Sequence, residues 1–331
     1  MAVMAGVRLR AWLGGVAAAC SLAAGGQALA QTEVKIGYAL ATTSHYGAAA
    51  QAWGDSVEKA TAGRYKFKQF PASALGGERE SIEGLQLGTV QALIVSTGTL
   101  SNFVPEVGVV DVPFLFRDTG HARRVMDGPI GQDLMKKFQP RGIVALAWGE
   151  QGFRHLTNNK HGVVRPEDFK GLKIRTMENP VHITAFKTLG AAPTPMAWPE
   201  VIGALQQGTI DGQENPLSVI VSAKVSDVQK YLTLSSHVYA PALLIVSPRF
   251  WNKLSDADKA AFVEGAKAGV VAMRAYVDDV DAKGVATLKA AGMQVNTIAD
   301  KTPFQHALAP AYAQYQAKFG KELLDRIAAA Q

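Results

Sequence analysis

Hydrophobic and polar positions along the chain follow two periods that take turns. Val34 to Ala39 is a short, mostly apolar run that predicts a buried strand, and over residues 47–62 Ala50, Trp53, Val57 and Ala60 recur at helical spacing. Tyr65 to Phe70 alternates aromatic with polar residues, the period of a half-exposed strand. Glu78 to Leu87 returns to helical spacing, and Ala92 to Val95 is wholly apolar and runs into Ser96-Thr97-Gly98. Strand and helix alternate, which predicts an α/β sheet with helices on both faces.

The alternation restarts near Trp148. Val144 to Ala147, Leu172 to Arg175 and Leu243 to Val246 read as strands, while Pro180 to Leu189 and Pro199 to Gln206 read as helices opened by proline in the first turn. Two α/β lobes follow, with the chain crossing between them near residues 148–156. From Ser255, which forms an S-x-x-D cap with Asp258, apolar positions keep helical spacing through Phe262, Val263, Ala266, Val270, Met273, Val277, Val280 and Leu288 as far as Gly292. At 1.5 Å per residue such a helix extends ~54 Å, more than the width of one lobe, so it is expected to bridge both. The alternative is a pair of helices broken near Gly284.

Composition narrows the class. A chain of 331 residues suits two globular units. Only 19% of residues are charged and no run of like charge occurs, which argues against disorder and against a nucleic-acid-binding tail. One cysteine excludes a zinc–cysteine site and a disulfide scaffold. Residues 1–30 carry Arg8 and Arg10 and no acid, then an apolar stretch from Ala11 to Gly26, then Ala28-Leu29-Ala30; this is the layout of a signal peptide cut between Ala30 and Gln31. The stretch is shorter than the ~20 residues a spanning helix needs. Ala17-Ala18-Ala19 before Cys20 lacks the large aliphatic residue of a lipid-attachment site, so Cys20 is assigned to the signal core. Without Arg8 and Arg10 the 34 Lys and Arg become 32 against 28 Asp and Glu, a net +4 with no thiol. No later segment is long and apolar enough to span a bilayer, and a protein free in its compartment is expected.

Catalytic patterns are missing: there is no glycine-rich phosphate loop, HExxH, GxSxG or cysteine nucleophile. The seven histidines never fall at i, i+4, so no metal site and no cofactor is expected. Polar residues do stand at strand ends and loops, where open α/β sheets bind ligands. Arg175 ends the apolar strand Gly171-Leu172-Lys173-Ile174 and can present its planar fork to a carboxylate. A plain surface arginine is the alternative, and Arg154 in Gly152-Phe153-Arg154-His155 is equally open. Asn215 closes the polar segment Asp211-Gly212-Gln213-Glu214-Asn215-Pro216, where turn formation is the competing role.

Five segments carry a likeness: FPASALGGERESIEGLQLGTVQ (70–91), DVPFLFRD (111–118), GLKIR (171–175), LGAAPTPMAWPEVIGALQQGTIDGQENP (189–216) and VQKYL (228–232). They resemble the solute-binding proteins of tripartite ATP-independent periplasmic (TRAP) transporters, the DctP family. The resemblance implies a two-lobed periplasmic binding protein fold with a long helix bridging both lobes. It divides the mature chain into lobe I, 31–152 plus about 240–275, and lobe II, 153–239 plus about 276–331. It also implies a periplasmic, monomeric binder, not an enzyme, that closes on a small organic acid and delivers it to the permease membrane subunits. Arg175 is then the carboxylate partner, Arg154 a second donor, and Asn215, Glu78, Ser96 and Trp198 ligand-facing groups, with His45 in a ligand-facing loop. Glu214, His237 and Glu178 are the supporting residues behind them. Trp198 stands where many members carry phenylalanine.

Two arginines favour one carboxylate, whereas Glu78 and Ser96 opposite offer acceptors for hydroxyls and Glu78 repels a second carboxylate. A hydroxylated monocarboxylate is therefore expected, a hexuronate such as glucuronate or galacturonate or an aldonate, over a four-carbon dicarboxylate. The indole of Trp198 suits the apolar face of a sugar ring. An exported sugar-acid lyase using Glu78 or His45 as base is one rival reading, and a binding protein of an ATP-driven importer is another.

Overall fold

The computed structural model describes residues 31–330; the expected signal peptide and Cys20 lie outside them. Its strands are β1 (Thr32–Tyr38), β2 (Tyr65–Phe70), β3 (Ala92–Ser96), β4 (Val144–Asn158), β5 (Lys173–Thr176), β6 (Ala192–Pro195), β7 (Gly212–Pro216), β8 (Tyr231–Val246) and β9 (Gln294–Thr297). They form one sheet in the order β2-β1-β3-β8-β4-β7-β5-β6, with β9 added beside β8. Both ends of the sheet are parallel, β2-β1-β3 and β7-β5-β6, and β4 and β8 run antiparallel between them.

β4 and β8 are the spine shared by the two halves. The carboxyl end of β8 pairs with β3 and with the start of β4; its beginning pairs with the end of β4 and with β9. The register of β4 slips between Glu150 and Gly152, where Gly152 takes φ +104°, a backbone conformation in which a side chain is strained. Sequence reading catches only the apolar ends of these strands. The middle of β4 holds buried Glu150, Gln151, Arg154 and His155, which break the apolar pattern but are held by partners far along the chain.

β3 is apolar throughout because both of its faces are covered. Leu93 and Val95 join the core with Leu243 and Ile245 on one side, whereas Ala92 and Ile94 join Ala242, Leu244 and Val246 on the other. The segment Gly212–Pro216, open to a turn reading, is instead a fully buried strand. Its polar side chains are satisfied by neighbours: Gln213 Nε2 donates to Thr157 Oγ1 at 2.9 Å, and Asn215 Nδ2 donates to Gln213 Oε1.

A single unbroken helix runs Asp256–Ala290, with Ser255 Oγ accepting from the Asp258 N–H. Phe262, Ala266, Val270 and Met273 belong to the core of the first half, and Val280 and Leu288 to that of the second, so the helix does bridge both. Its close approach to helix His45–Ala60 needs glycine: a Cβ on Gly269 would stand 2.9 Å from the Ala49 carbonyl oxygen. The last helix, Lys321–Ala329, returns to the first half, where Ile327 is fully buried and Arg117 binds the carbonyls of Ala328 and Ala330. No helix among the described residues is long and apolar enough to cross a membrane.

Candidate functional site

The carboxyl ends of β1, β3, β5 and β7 meet at one cleft, the position at which open α/β sheets bind ligands. The cleft has about 540 Å³ of open space, its mouth included. Glu78, Ser96, Arg175, Glu178, Trp198 and Asn215 all line it. Glu178, expected behind the ligand-facing groups, thus stands at the wall itself, 3.6 Å from Arg79.

Arg175 is 3% exposed, and its Nε and Nη2 both donate to the Met196 carbonyl oxygen at 3.0 and 2.8 Å. The guanidinium also lies 5.7 Å from the centre of the Trp198 ring. These contacts fix its orientation without neutralising it. Among the described residues no carboxylate lies within ion-pair distance of Arg175, and burial pushes it down to about 10, with Arg154 adding to the effect and Glu214 and Glu78 opposing it. A buried cation left in this state is a strong attractor for an anion.

Opposite, the Glu78 carboxylate is turned inward. Oε1 accepts from the Ser96 N–H at 2.9 Å, and Oε2 accepts from Ser96 Oγ at 2.8 Å and Thr99 Oγ1 at 2.7 Å. Burial raises its pKa, and the three donors partly offset this. The two halves also touch around the cleft. Asp111 accepts from Thr97 Oγ1 and from Asn179 Nδ2, both at 2.8 Å, and Asn102 Nδ2 donates to the Glu178 carbonyl at 2.6 Å. The Met177 methyl covers Gly98 so closely that a Cβ there would lie 1.7 Å from it.

Arg154 does not line the cleft. It is fully buried behind Asn215 and is neutralised by Glu214, through an Nε to Oε2 bond and an Nη2 to Oε1 bond of 2.8 Å. Nη2 also reaches Asn215 Oδ1 at 3.3 Å, whereas Nη1 is buried with no partner among the described residues. Burial alone would raise the Glu214 carboxyl; Arg154, with the His237 Nε2 contact at 3.1 Å, overrides it and holds the group well below the usual range. Glu214 and His237 thus brace Arg154, and Arg154 braces Asn215. His182, 3.7 Å from Glu214, completes this group.

His45 is likewise absent from the cleft. It is fully buried, 4.7 Å from the Tyr46 ring and 6.1 Å from that of Tyr276, and neither ring nitrogen has a partner among the described residues. Burial pushes it down to about 3 from 6.5. A histidine lowered on folding contributes stability that is complete above pH 6.5 and is lost as pH falls toward 3. His45→Phe is therefore expected to match or exceed the parent at pH 8, with an advantage that widens by pH 5. Urea titrations at the two pH values test this, and a constant difference would refute it.

Sequence reasoning missed Tyr46, Thr99, Gln151 and Met177, all at the cleft wall. Thr99 and Met177 follow the strand ends that carry Ser96 and Arg175, and Tyr46 adjoins His45 in the loop that the resemblance marks as ligand-facing; Gln151 had no such signal.

The family described as bacterial extracellular solute-binding protein, family 7 (DctP), matches residues 36–318. A solute-binding protein of Verminephrobacter eiseniae is 54% identical over 304 residues, 92% of this chain and 91% of that one. The 2,3-diketo-L-gulonate-binding periplasmic protein YiaO of Escherichia coli is 38% identical over 280 residues, 85% of each chain. Among solved structures, a TRAP periplasmic solute-binding protein from Bordetella bronchispeptica, with density interpreted as pantoate, superposes with a TM-score of 0.89 at 60% identity, covering 91% of this chain and 100% of that one. A second, from Polaromonas sp. JS666 bound to D-erythronate, gives 0.90 at 55% identity with 91% and 99% covered. A third, from Sulfurospirillum deleyianum with bound succinate, gives 0.86 at 34% identity with 91% and 100% covered.

Proposed function

Because the chain belongs to the family 7 (DctP) solute-binding proteins of TRAP transporters, we propose that its cleft captures a hydroxylated monocarboxylate, a sugar acid, for delivery to membrane permease subunits. Members of this family are periplasmic solute-binding proteins, which are not enzymes. The observation that carries the ligand class is Arg175, a buried guanidinium with no carboxylate at ion-pair distance among the described residues, facing a wall that already holds the buried acid Glu78. One ligand carboxylate compensates the arginine; a second, turned toward Glu78, would meet like charge. The D-erythronate on the 55%-identical relative is of this chemical kind.

In this reading Arg175 takes the carboxylate, Trp198 covers the carbon chain, and Ser96 and Asn215 meet hydroxyls. Arg154 acts through Asn215, whose Oδ1 its Nη2 reaches. The export signal at residues 1–30 suits the family's compartment, and a monomer is part of the same reading. Lobe I comprises 31–152 and about 240–275, lobe II 153–239 and about 276–320. The slip in β4 at Gly152 supports that division, and burial of Ile327 in the first-half core supports adding Lys321–Ala329 to lobe I.

A four-carbon dicarboxylate is the second reading, favoured by the succinate-bound relative and by Arg79 at the rim. Arg79, however, already faces Glu178. Titration calorimetry with D-erythronate, glucuronate, galacturonate and succinate separates the two. Binding of at least one hydroxylated acid more tightly than succinate is expected; succinate binding alone would overturn the sugar-acid reading.

A further inference from the structure

Tyr46 is the second residue of the helix that follows β1 and is 1% exposed. Its side chain lines the cleft, and its Oη is buried with no hydrogen-bond partner among the described residues. A hydroxyl shut away from water without a partner is unfavourable, so a ligand group that meets it gains what the protein does not supply. Burial, with Glu78 nearby, raises the phenol well above its ordinary value. It is therefore neutral and able to donate.

The other two hydroxyls of the wall are in a different state. Ser96 Oγ and Thr99 Oγ1 each direct their proton to Glu78 Oε2, at 2.8 and 2.7 Å. A hydroxyl has one proton, so both present only lone pairs to the cleft. Among the described hydroxyls lining the cleft, that of Tyr46 alone keeps a proton free for the ligand. The wall thus combines acceptors at Ser96 and Thr99 with a donor at Tyr46. A carbinol O–H answers both, accepting from Tyr46 and donating to Ser96 or Thr99. A methylene answers neither, and a carboxylate oxygen cannot donate.

We infer that the Tyr46 hydroxyl is a specificity-determining group of the cleft, selecting acids that carry a hydroxyl over their deoxy counterparts. This rests on the sugar-acid reading above. The competing view is that Tyr46 only packs its ring beside His45 and the helix core.

The test is Tyr46→Phe, which keeps the ring. Calorimetry measures the tightest binder among D-erythronate, glucuronate and galacturonate against its singly deoxygenated analogues. The expected result is a loss of about 10- to 100-fold for the parent acid and little change for one deoxy analogue, so that discrimination between them collapses. The ligand-free variant is expected to melt at or above the temperature of the unaltered protein. An unchanged affinity ratio overturns the inference, and so does a lower melting temperature, which would mean that the hydroxyl serves the fold. Failure of the unaltered protein to bind any of the three acids overturns the sugar-acid reading, and this inference with it.

Discussion

Arg175→Ala is expected to weaken binding of the acid by about 100- to 1000-fold while leaving the ligand-free protein at least as stable as before. Losing one member of a desolvated, hydrogen-bonded ion pair costs about 2–5 kcal/mol, and each 1.4 kcal/mol is roughly tenfold in affinity. The stability half of the expectation comes from the lowered pKa. Burial pushes Arg175 down to about 10, so the folded protein bears the strain of a cation whose partner arrives with the ligand. Removing the charge relieves that strain in the empty cleft. Arg175→Lys is expected to fail as well, because an ammonium cannot both bind the Met196 carbonyl through two nitrogens and offer a parallel pair to the ligand. Calorimetry with a thermal melt of the empty protein reads both halves. Unchanged affinity would remove Arg175 from the site, and a large fall in melting temperature would make it a structural residue.

The place of Arg175 near the carboxyl end of a short strand was legible, but the residues alone left a surface arginine open, and only the family resemblance pointed it at the cleft that it lines. The long helix was legible because a cap and regular spacing are local properties, and they persist from Ser255 to the second-half core. The state of Arg154 was not legible, since the carboxylate that neutralises it belongs to Glu214, sixty residues on. Burial of Gly212–Pro216 was hidden for the same reason: polar side chains enter a core when partners from other strands satisfy them, and those partners are not neighbours in the chain. His45 and Tyr46 show how fine the remaining ambiguity is. Consecutive helical residues point about 100° apart. That rotation puts the imidazole under Tyr276 and the phenol into the cleft, although the histidine looked the better ligand group.

Glu214→Ala is expected to cause a large loss of stability, because it strands Arg154 at full burial with no counter-charge. Breaking a buried pair from one side costs about 3–5 kcal/mol. For a chain of this size that lowers the melting temperature on the order of 10 °C. The pH dependence follows from the depressed Glu214 carboxyl: its contribution is complete above the ordinary value of 4.5 and is lost as pH falls, so the gap between parent and variant narrows in acid. Replacing both partners, Arg154→Met with Glu214→Leu, removes the stranded charge and is expected to recover most of the stability. Binding should not recover with it, because Asn215 loses the Nη2 contact that orients its Oδ1. Urea unfolding of the single and double variants, with calorimetry on each, separates bracing from folding. A double variant that is no more stable than Glu214→Ala would show that the harm lies in lost packing, and one that binds like the parent would remove the buried pair from ligand recognition.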